Sequence, residues 1–122
     1  MNRDMDVVRE IVLGLNAATD SFDHLDGIDD DVFKYNAQLV IEAGLARGIV
    51  SDSIIDAGGV PGAVYLERLT WEGHDFADSI ADDTLWKKAK EKVIKPSASW
   101  TFAILRDYLK FEIKQRLGID VP

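Results

Sequence analysis

The sequence predicts an α+β fold, mainly α, and three observations predict it. Apolar residues at helical spacing fill most of the chain. A single stretch from Leu45 to Leu69 is rich in β-formers on either side of a glycine-rich turn, and 47% of all residues are hydrophobic. At 122 residues the chain suits one domain with a real core, since single cores occupy roughly 100–200 residues. Cysteine is absent, which excludes disulfides, thiolate metal sites and thiol nucleophiles, so stability must come from packing.

From Asp4 to Leu15 the residues Met5, Val7, Val8, Ile11, Val12 and Leu15 share one wide helical face, with Asp6, Arg9 and Glu10 away from it. Ala17 to Asp31 mixes six aspartates with Ser, Thr and Gly and reads as a loop holding one short strand, seated by Phe22, Leu25 and Ile28. Asp29 or Asp30 caps a second helix through Val32, Phe33, Ala37, Val40 and Ile41 to Ala43, and Gly44 stops it. Leu45 to Ile55 is a strand, Asp56 to Gly62 a turn, and Ala63 to Leu69 a second, alternating strand, which together predict a β-hairpin. Thr70 caps a helix from Trp71 to Ile80, and Asp83 or Thr84 caps another from Leu85 to Lys95, where Pro96 ends it. Ser97 or Ser99 starts a last helix that reaches about Leu117. No internal repeat or low-complexity tract interrupts this order. Residues 1–122 are therefore expected to form one domain, a core with hairpin over 1–69 and a helical extension over 70–122.

Helix, helix, an Ala43-Gly44-Leu45 corner, hairpin, helix is the order of winged-helix proteins. Three segments carry a more specific resemblance: Arg3-Asp4-Met5-Asp6-Val7-Val8-Arg9-Glu10-Ile11, Glu42-Ala43-Gly44-Leu45, and Leu69-Thr70-Trp71-Glu72-Gly73-His74-Asp75-Phe76. They resemble a family of phages and prophages, domain of unknown function 2513 (DUF2513), from the first residue to about Lys92. The resemblance implies a winged-helix-like core, a C-terminal helical extension and a phage or prophage context. It implies a fold and no activity. Members often have Lys where Asn2 stands, and His where Asn36 follows Tyr35.

A net charge of −8 repels polyphosphate at long range. The charge is uneven, with nine Lys or Arg against three acids from Thr84 to Gly118 and five against nineteen elsewhere. No apolar run approaches the roughly 18 residues that cross a bilayer, and the first residues carry acids where a signal peptide carries cations. With the missing cysteines this sets a cytoplasmic expectation.

On the second helix Lys34, Tyr35, Asn36 and Gln38 are the side chains able to contact DNA, although Asp29, Asp30 and Asp31 would face phosphates unfavourably. The hairpin tip has no cation, and Arg68 lies at the far end of its strand. Lys88, Lys92 and Lys95, with Lys87 near them, fall opposite Leu85, Trp86, Ala89 and Val93, while Arg106, Lys110 and Lys114 stand four residues apart on the last helix. These stripes either grip an anionic partner or balance the acidic body as a solvated face. The last helix has two apolar stripes, Phe102, Leu105, Leu109, Ile113 and Leu117 in one, Trp100, Ile104, Tyr108 and Phe111 in the other. A small domain buries one stripe by itself, so the second predicts a homo-oligomer or another partner, against the alternative that one chain buries both.

His24 and His74 lie far apart, the aspartates from Asp20 to Asp31 do not follow the EF-hand order, and neither a nucleophile motif nor a phosphate-cradling glycine pattern is present. No metal, no cofactor and no catalysis are expected. Gly73 is expected to permit close packing and His74 to hydrogen-bond near the hairpin. The function expected is a non-enzymatic regulatory binding module associated with DNA and acting as an oligomer. Its rival is an acidic adaptor or inhibitor that imitates nucleic acid toward a basic host protein.

Overall fold

A computed structural model of the chain describes residues 1–51, 58–96 and 100–118. The described elements run α1 (Met5–Ala17), α2 (Asp30–Glu42), β1 (Ala46–Ser51), β2 (Ala63–Leu69), α3 (Trp71–Ile80), α4 (Asp83–Ala89) and α5 (Phe102–Leu117), with a π-helical turn at Lys90–Ile94. The fold is α+β, mainly α, with one antiparallel hairpin. The chain divides into two compact units, Met1–Ala77 and Asp78–Pro122, so the division falls inside α3.

In the first unit Asp4 starts α1 by accepting the N–H groups of Asp6 and Val7 at 3.0 and 3.3 Å. The predicted face of α1 is the buried one, with Met5, Val8, Ile11, Val12 and Leu15 in the core. The short strand expected before α2 is reduced to one residue: Phe22 forms an isolated antiparallel bridge with Leu66, exchanging hydrogen bonds of 3.0 and 2.9 Å. Its ring lies 6.2 Å from that of Phe33, which ties the loop to the buried side of α2. Asp29 caps α2 through the N–H groups of Asp31 and Val32, and Gly44 ends it at φ +78. In β2 Val64, Leu66 and Leu69 are buried where the strand packs with α1 and α2, and Tyr65, Glu67 and Arg68 between them are exposed. A bulge between Arg47 and Gly48 leaves Glu67 without a direct partner. The hairpin tip at 52–57, with Ile54, Ile55 and the first part of the expected turn, lies outside the described residues.

The corner after α2 is locked to the start of α3. Thr70 donates its hydroxyl to the Gly44 carbonyl at 2.6 Å, accepts the Gly73 N–H at 3.0 Å, and sends its own N–H to the Leu45 carbonyl at 2.9 Å. A Cβ on Gly73 would stand 1.9 Å from that same Leu45 oxygen, so only glycine permits this approach. Thr70 is the expected cap. His74, expected to hydrogen-bond near the hairpin, has its Nδ1 at 3.1 Å from Asn16 Oδ1 on α1.

In the second unit the cap of α4 is Asp82, which accepts the Leu85 N–H at 2.8 Å, rather than Asp83 or Thr84. Three successive residues here have capping side chains, and only Asp82 has the extended backbone a cap needs, at φ −77 and ψ 120. The helix expected to continue to Lys95 instead loosens into a π turn, closed by the Lys95 N–H on the Lys90 carbonyl at 2.8 Å. Pro96 follows, and without an N–H it cannot extend the ladder. Helix α5 is capped by Thr101, whose hydroxyl accepts the Ile104 N–H at 3.3 Å, rather than by Ser97 or Ser99, which lie outside the described residues. Leu105 and Leu109 are fully buried, and Leu85, Trp86, Ala89 and Val93 are buried with them as α4 and the π turn pack on α5.

Candidate functional site

Helix α2 holds the recognition-helix position, immediately before the hairpin, and a single turn at Leu25–Ile28 stands where a helix-turn-helix has its first helix. Three of the four α2 side chains expected to contact DNA have partners within the chain. The Asp29 carboxylate already takes the first free N–H groups, which are those that would hold a phosphate. Lys34 Nζ lies 2.8 Å from Asp30 Oδ2, and that hydrogen-bonded pair raises the lysine pKa above its ordinary value. Asn36 is not a contact residue: it is fully buried, its Oδ1 accepting the Asp4 N–H at 2.9 Å and its Nδ2 donating to the Val32 carbonyl at 2.9 Å. Gln38 Nε2 donates to the Gly59 carbonyl at 3.3 Å, and Tyr35 is half-buried. The open side of α2 is thus bounded by exposed Asp30 and Asp31 at one end and exposed Glu42 at the other. In the aspartate-rich loop before it, His24 Nδ1 donates to Asp23 at 2.9 Å, which raises the histidine pKa and lowers that of the carboxylate.

The second unit carries nine Lys or Arg against seven acids, whereas the first carries five against fifteen. Several cations of the second unit are engaged. Lys88 pairs with Glu112 at 3.3 Å and Arg116 with Asp82 at 3.0 Å, ties that join α4 to α5. The Arg106 guanidinium lies 5.6 Å from the centre of the Phe102 ring. Lys92, Lys95 and Lys110 are exposed, and Lys114 is half-buried. Of the first α5 stripe Leu105 and Leu109 are the buried members, Phe102 and Ile113 are half-buried, and Leu117 is exposed. Of the second, Ile104 and Phe111 remain 50% and 46% exposed, while Trp100 and Tyr108 are half-buried. Burial and the nearby Glu112 push the Tyr108 pKa up.

One surface has no counterpart in the sequence reading. On the outward face of the hairpin Arg47 stands opposite Arg68 and Ile49 opposite Tyr65, all four exposed, and Trp71 follows at the same end of the hairpin with 82% of its surface exposed. The alternation of buried and exposed residues along β2 is the signal that could have found it. The pairing register, which sets the two arginines side by side, is not visible in the sequence.

The sequence profile of the family described as "Hypothetical protein (DUF2513)" matches residues 2–99, and the chain belongs to that family. A protein of Haemophilus influenzae (strain ATCC 51907 / DSM 11121 / KW20 / Rd), described as "Uncharacterized protein", is 26% identical over 123 residues, covering 97% of this chain and 100% of its own. No solved structure matches.

Proposed function

We propose that this DUF2513 chain is a non-enzymatic binding module whose winged-helix-like unit takes a basic protein partner and not DNA. The observation that carries this reading is the start of α2, where Asp29 occupies the free N–H groups and Asp30 neutralises Lys34. A polyphosphate approaching that helix meets carboxylates in place of donors. The same arrangement presents a basic protein with a row of anionic groups like those of a nucleic acid. This reverses the order expected from the sequence, in which DNA led, because three of the four α2 side chains expected to reach DNA are engaged: Lys34 by Asp30, Asn36 in the core and Gln38 by Gly59. The phage or prophage setting is part of the proposal and rests on the resemblance alone.

The test compares retention of mixed genomic DNA fragments across a salt series with retention of the heparin-binding fraction of a bacterial lysate. The reading expects no DNA retention at low salt, and lysate retention that Asp31→Lys with Glu42→Lys removes. DNA retention that depends on Lys34 or Gln38 would overturn it. A second reading, a DNA-associated regulator, is favoured by the exposed Lys92, Lys95 and Lys110 of the second unit. It expects retention that falls steeply with salt and is lost on reversing those lysines. We further propose that copies associate through the Ile104 and Phe111 side of α5, since half-exposed large apolar side chains on one helix side favour burial.

A further inference from the structure

Within Leu69–Phe76 five of the eight residues have a described place in the fold. Leu69, Gly73 and Phe76 are buried, and Thr70 and His74 hydrogen-bond to the α2 corner and to α1. Trp71 differs, because 82% of it is exposed, the highest value among the large hydrophobic residues described. An indole left in water forgoes a large burial energy, and such residues anchor interfaces when they are covered. Three residues before it stands Arg68, directly across from Arg47, and its Nη1 donates to the Leu69 carbonyl at 3.1 Å, which uses one of the guanidinium's several N–H donors. Like charges opposite one another in a strand pair are destabilising. Here two of the five cations of a unit with fifteen acids are placed in that relation. Glu67, brought beside them by the bulge, makes no ion pair with either among the described residues. An anionic group seated between two guanidinium groups converts their repulsion into charge-assisted hydrogen bonds. Next along the same face, Ile49 and Tyr65 are 59% and 46% exposed and offer apolar surface.

A nucleic acid suits this face poorly, since the acids of the unit repel a polyanion along its whole length. A peptide with one or two carboxylates meets the arginines locally and brings apolar side chains for Ile49, Tyr65 and Trp71. Among the described residues β1 is paired only with β2, so an extended segment can add along its other edge and present alternate side chains to this face. We propose that Arg47, Ile49, Tyr65 and Arg68, on the outward face of the hairpin, together with Trp71 at the start of α3 three residues beyond Arg68, bind an extended acidic and hydrophobic segment of a protein partner. This site is separate from the acidic side of α2 and does not depend on the reading given for it.

The full-length protein is titrated with fluorescein-labelled short peptides that alternate Glu with Leu, Phe or Trp. The same peptides with Lys for Glu, and a labelled oligodeoxythymidine strand, serve as comparators. The Glu peptides bind and both comparators bind more weakly. Arg47→Glu, Arg68→Glu and Trp71→Ala each weaken Glu-peptide binding roughly tenfold or more, as expected for anchors of an interface. Exposed positions tolerate such changes, so circular dichroism and the thermal midpoint stay at wild-type values. Should one variant unfold, Arg47→Gln and Tyr65→Ser carry the same test. Asp31→Lys with Glu42→Lys leaves this binding unchanged, which separates it from the α2 reading. The proposal is overturned if the Glu peptides fail to bind, if the Lys versions or the oligodeoxythymidine strand bind as tightly, or if the hairpin variants bind like wild type.

Discussion

Gly73→Ala is the sharpest probe of the lock between the α2 corner and α3. A new Cβ would stand 1.9 Å from the Leu45 oxygen, 2.9 Å from its carbon and 3.2 Å from Leu69 Cβ, and the nearest two atoms are backbone that cannot rotate away. Overpacking of this kind costs about 1–3 kcal/mol. Moving the Leu45 carbonyl also weakens its hydrogen bond from Thr70, worth about 1 kcal/mol. Against this, replacing glycine by alanine inside a helix returns about 0.5–1 kcal/mol. The net loss is about 1–3.5 kcal/mol, or about 4–14 °C in thermal midpoint at this chain length. Gly14→Ala is the internal control. Its Cβ meets Leu25 Cδ2 at 3.5 Å and Phe22 Cζ at 3.8 Å, ordinary contacts, so only the helical gain of about 0.5–1 kcal/mol remains and the midpoint rises.

Urea unfolding of both variants gives the energies, and amide exchange at Thr70 reports the lock itself, since its N–H is bound to the Leu45 carbonyl. Because the chain has two compact units, far-UV dichroism and tryptophan emission are recorded together to detect separate transitions. If Gly73→Ala proves as stable as wild type with Thr70 still protected, the packing argument is wrong.

Asn36→Ala empties a fully buried position and takes the acceptor from the part-buried Asp4 N–H, and is expected to cost about 1–3 kcal/mol in urea unfolding. His24 is expected to titrate above 6.5 by NMR because its hydrogen bond to Asp23 favours the imidazolium, and Asp23→Asn brings the midpoint back down. The sign follows: its stabilising contribution is present below the unfolded value and is lost as pH rises through the raised folded value. For Asp82 the direction is opposite. The Leu85 N–H first, then Arg116, hold its carboxyl below 3.8, so its contribution is present above that value and is lost as pH falls through the lowered one. Arg116→Gln raises the Asp82 midpoint only in part, because the Leu85 hydrogen bond remains. Ile104→Glu with Phe111→Glu reduces the solution mass to that of a single chain while helical dichroism is kept, and a wild-type protein already at that mass would refute the α5 contact.

Local patterns carried most of the fold. The apolar face of α1, the Gly44 stop and the alternation of β2 all depend on neighbours within a few residues and stand where their spacing placed them, and the α2 cap is Asp29, one of the two aspartates expected. The sequence reading misses the α4 cap, since Asp83 or Thr84 is expected and Asp82 just before them has the extended backbone a cap needs, an angle set by packing. Asn36 shows the same limit in the site. Its position on the arc of Phe33, Ala37 and Val40 could be read from the sequence, but its partner is the Asp4 N–H, 32 positions away. Arg47 and Arg68 lie 21 positions apart in the numbering, and only the bulged register makes them neighbours.

The segments that carry the chain's resemblance to the family are, in large part, those that close its fold. Gly44, Leu45, Thr70 and Gly73 contact one another through a hydroxyl, two carbonyls and an absent Cβ, and none of these groups is free for a ligand. Such a lock fixes where the hairpin leaves α2 and where α3 begins. It says nothing about what the unit binds, since any partner must meet the side chains the lock leaves outside. Trp71 is the one large apolar member of Leu69–Phe76 left there, three residues beyond Arg68. Substitutions within the lock should therefore change stability and leave intrinsic affinity alone. Substitutions at Trp71, Arg47 and Arg68 should do the reverse, and that separation distinguishes a binding surface from a fold marker.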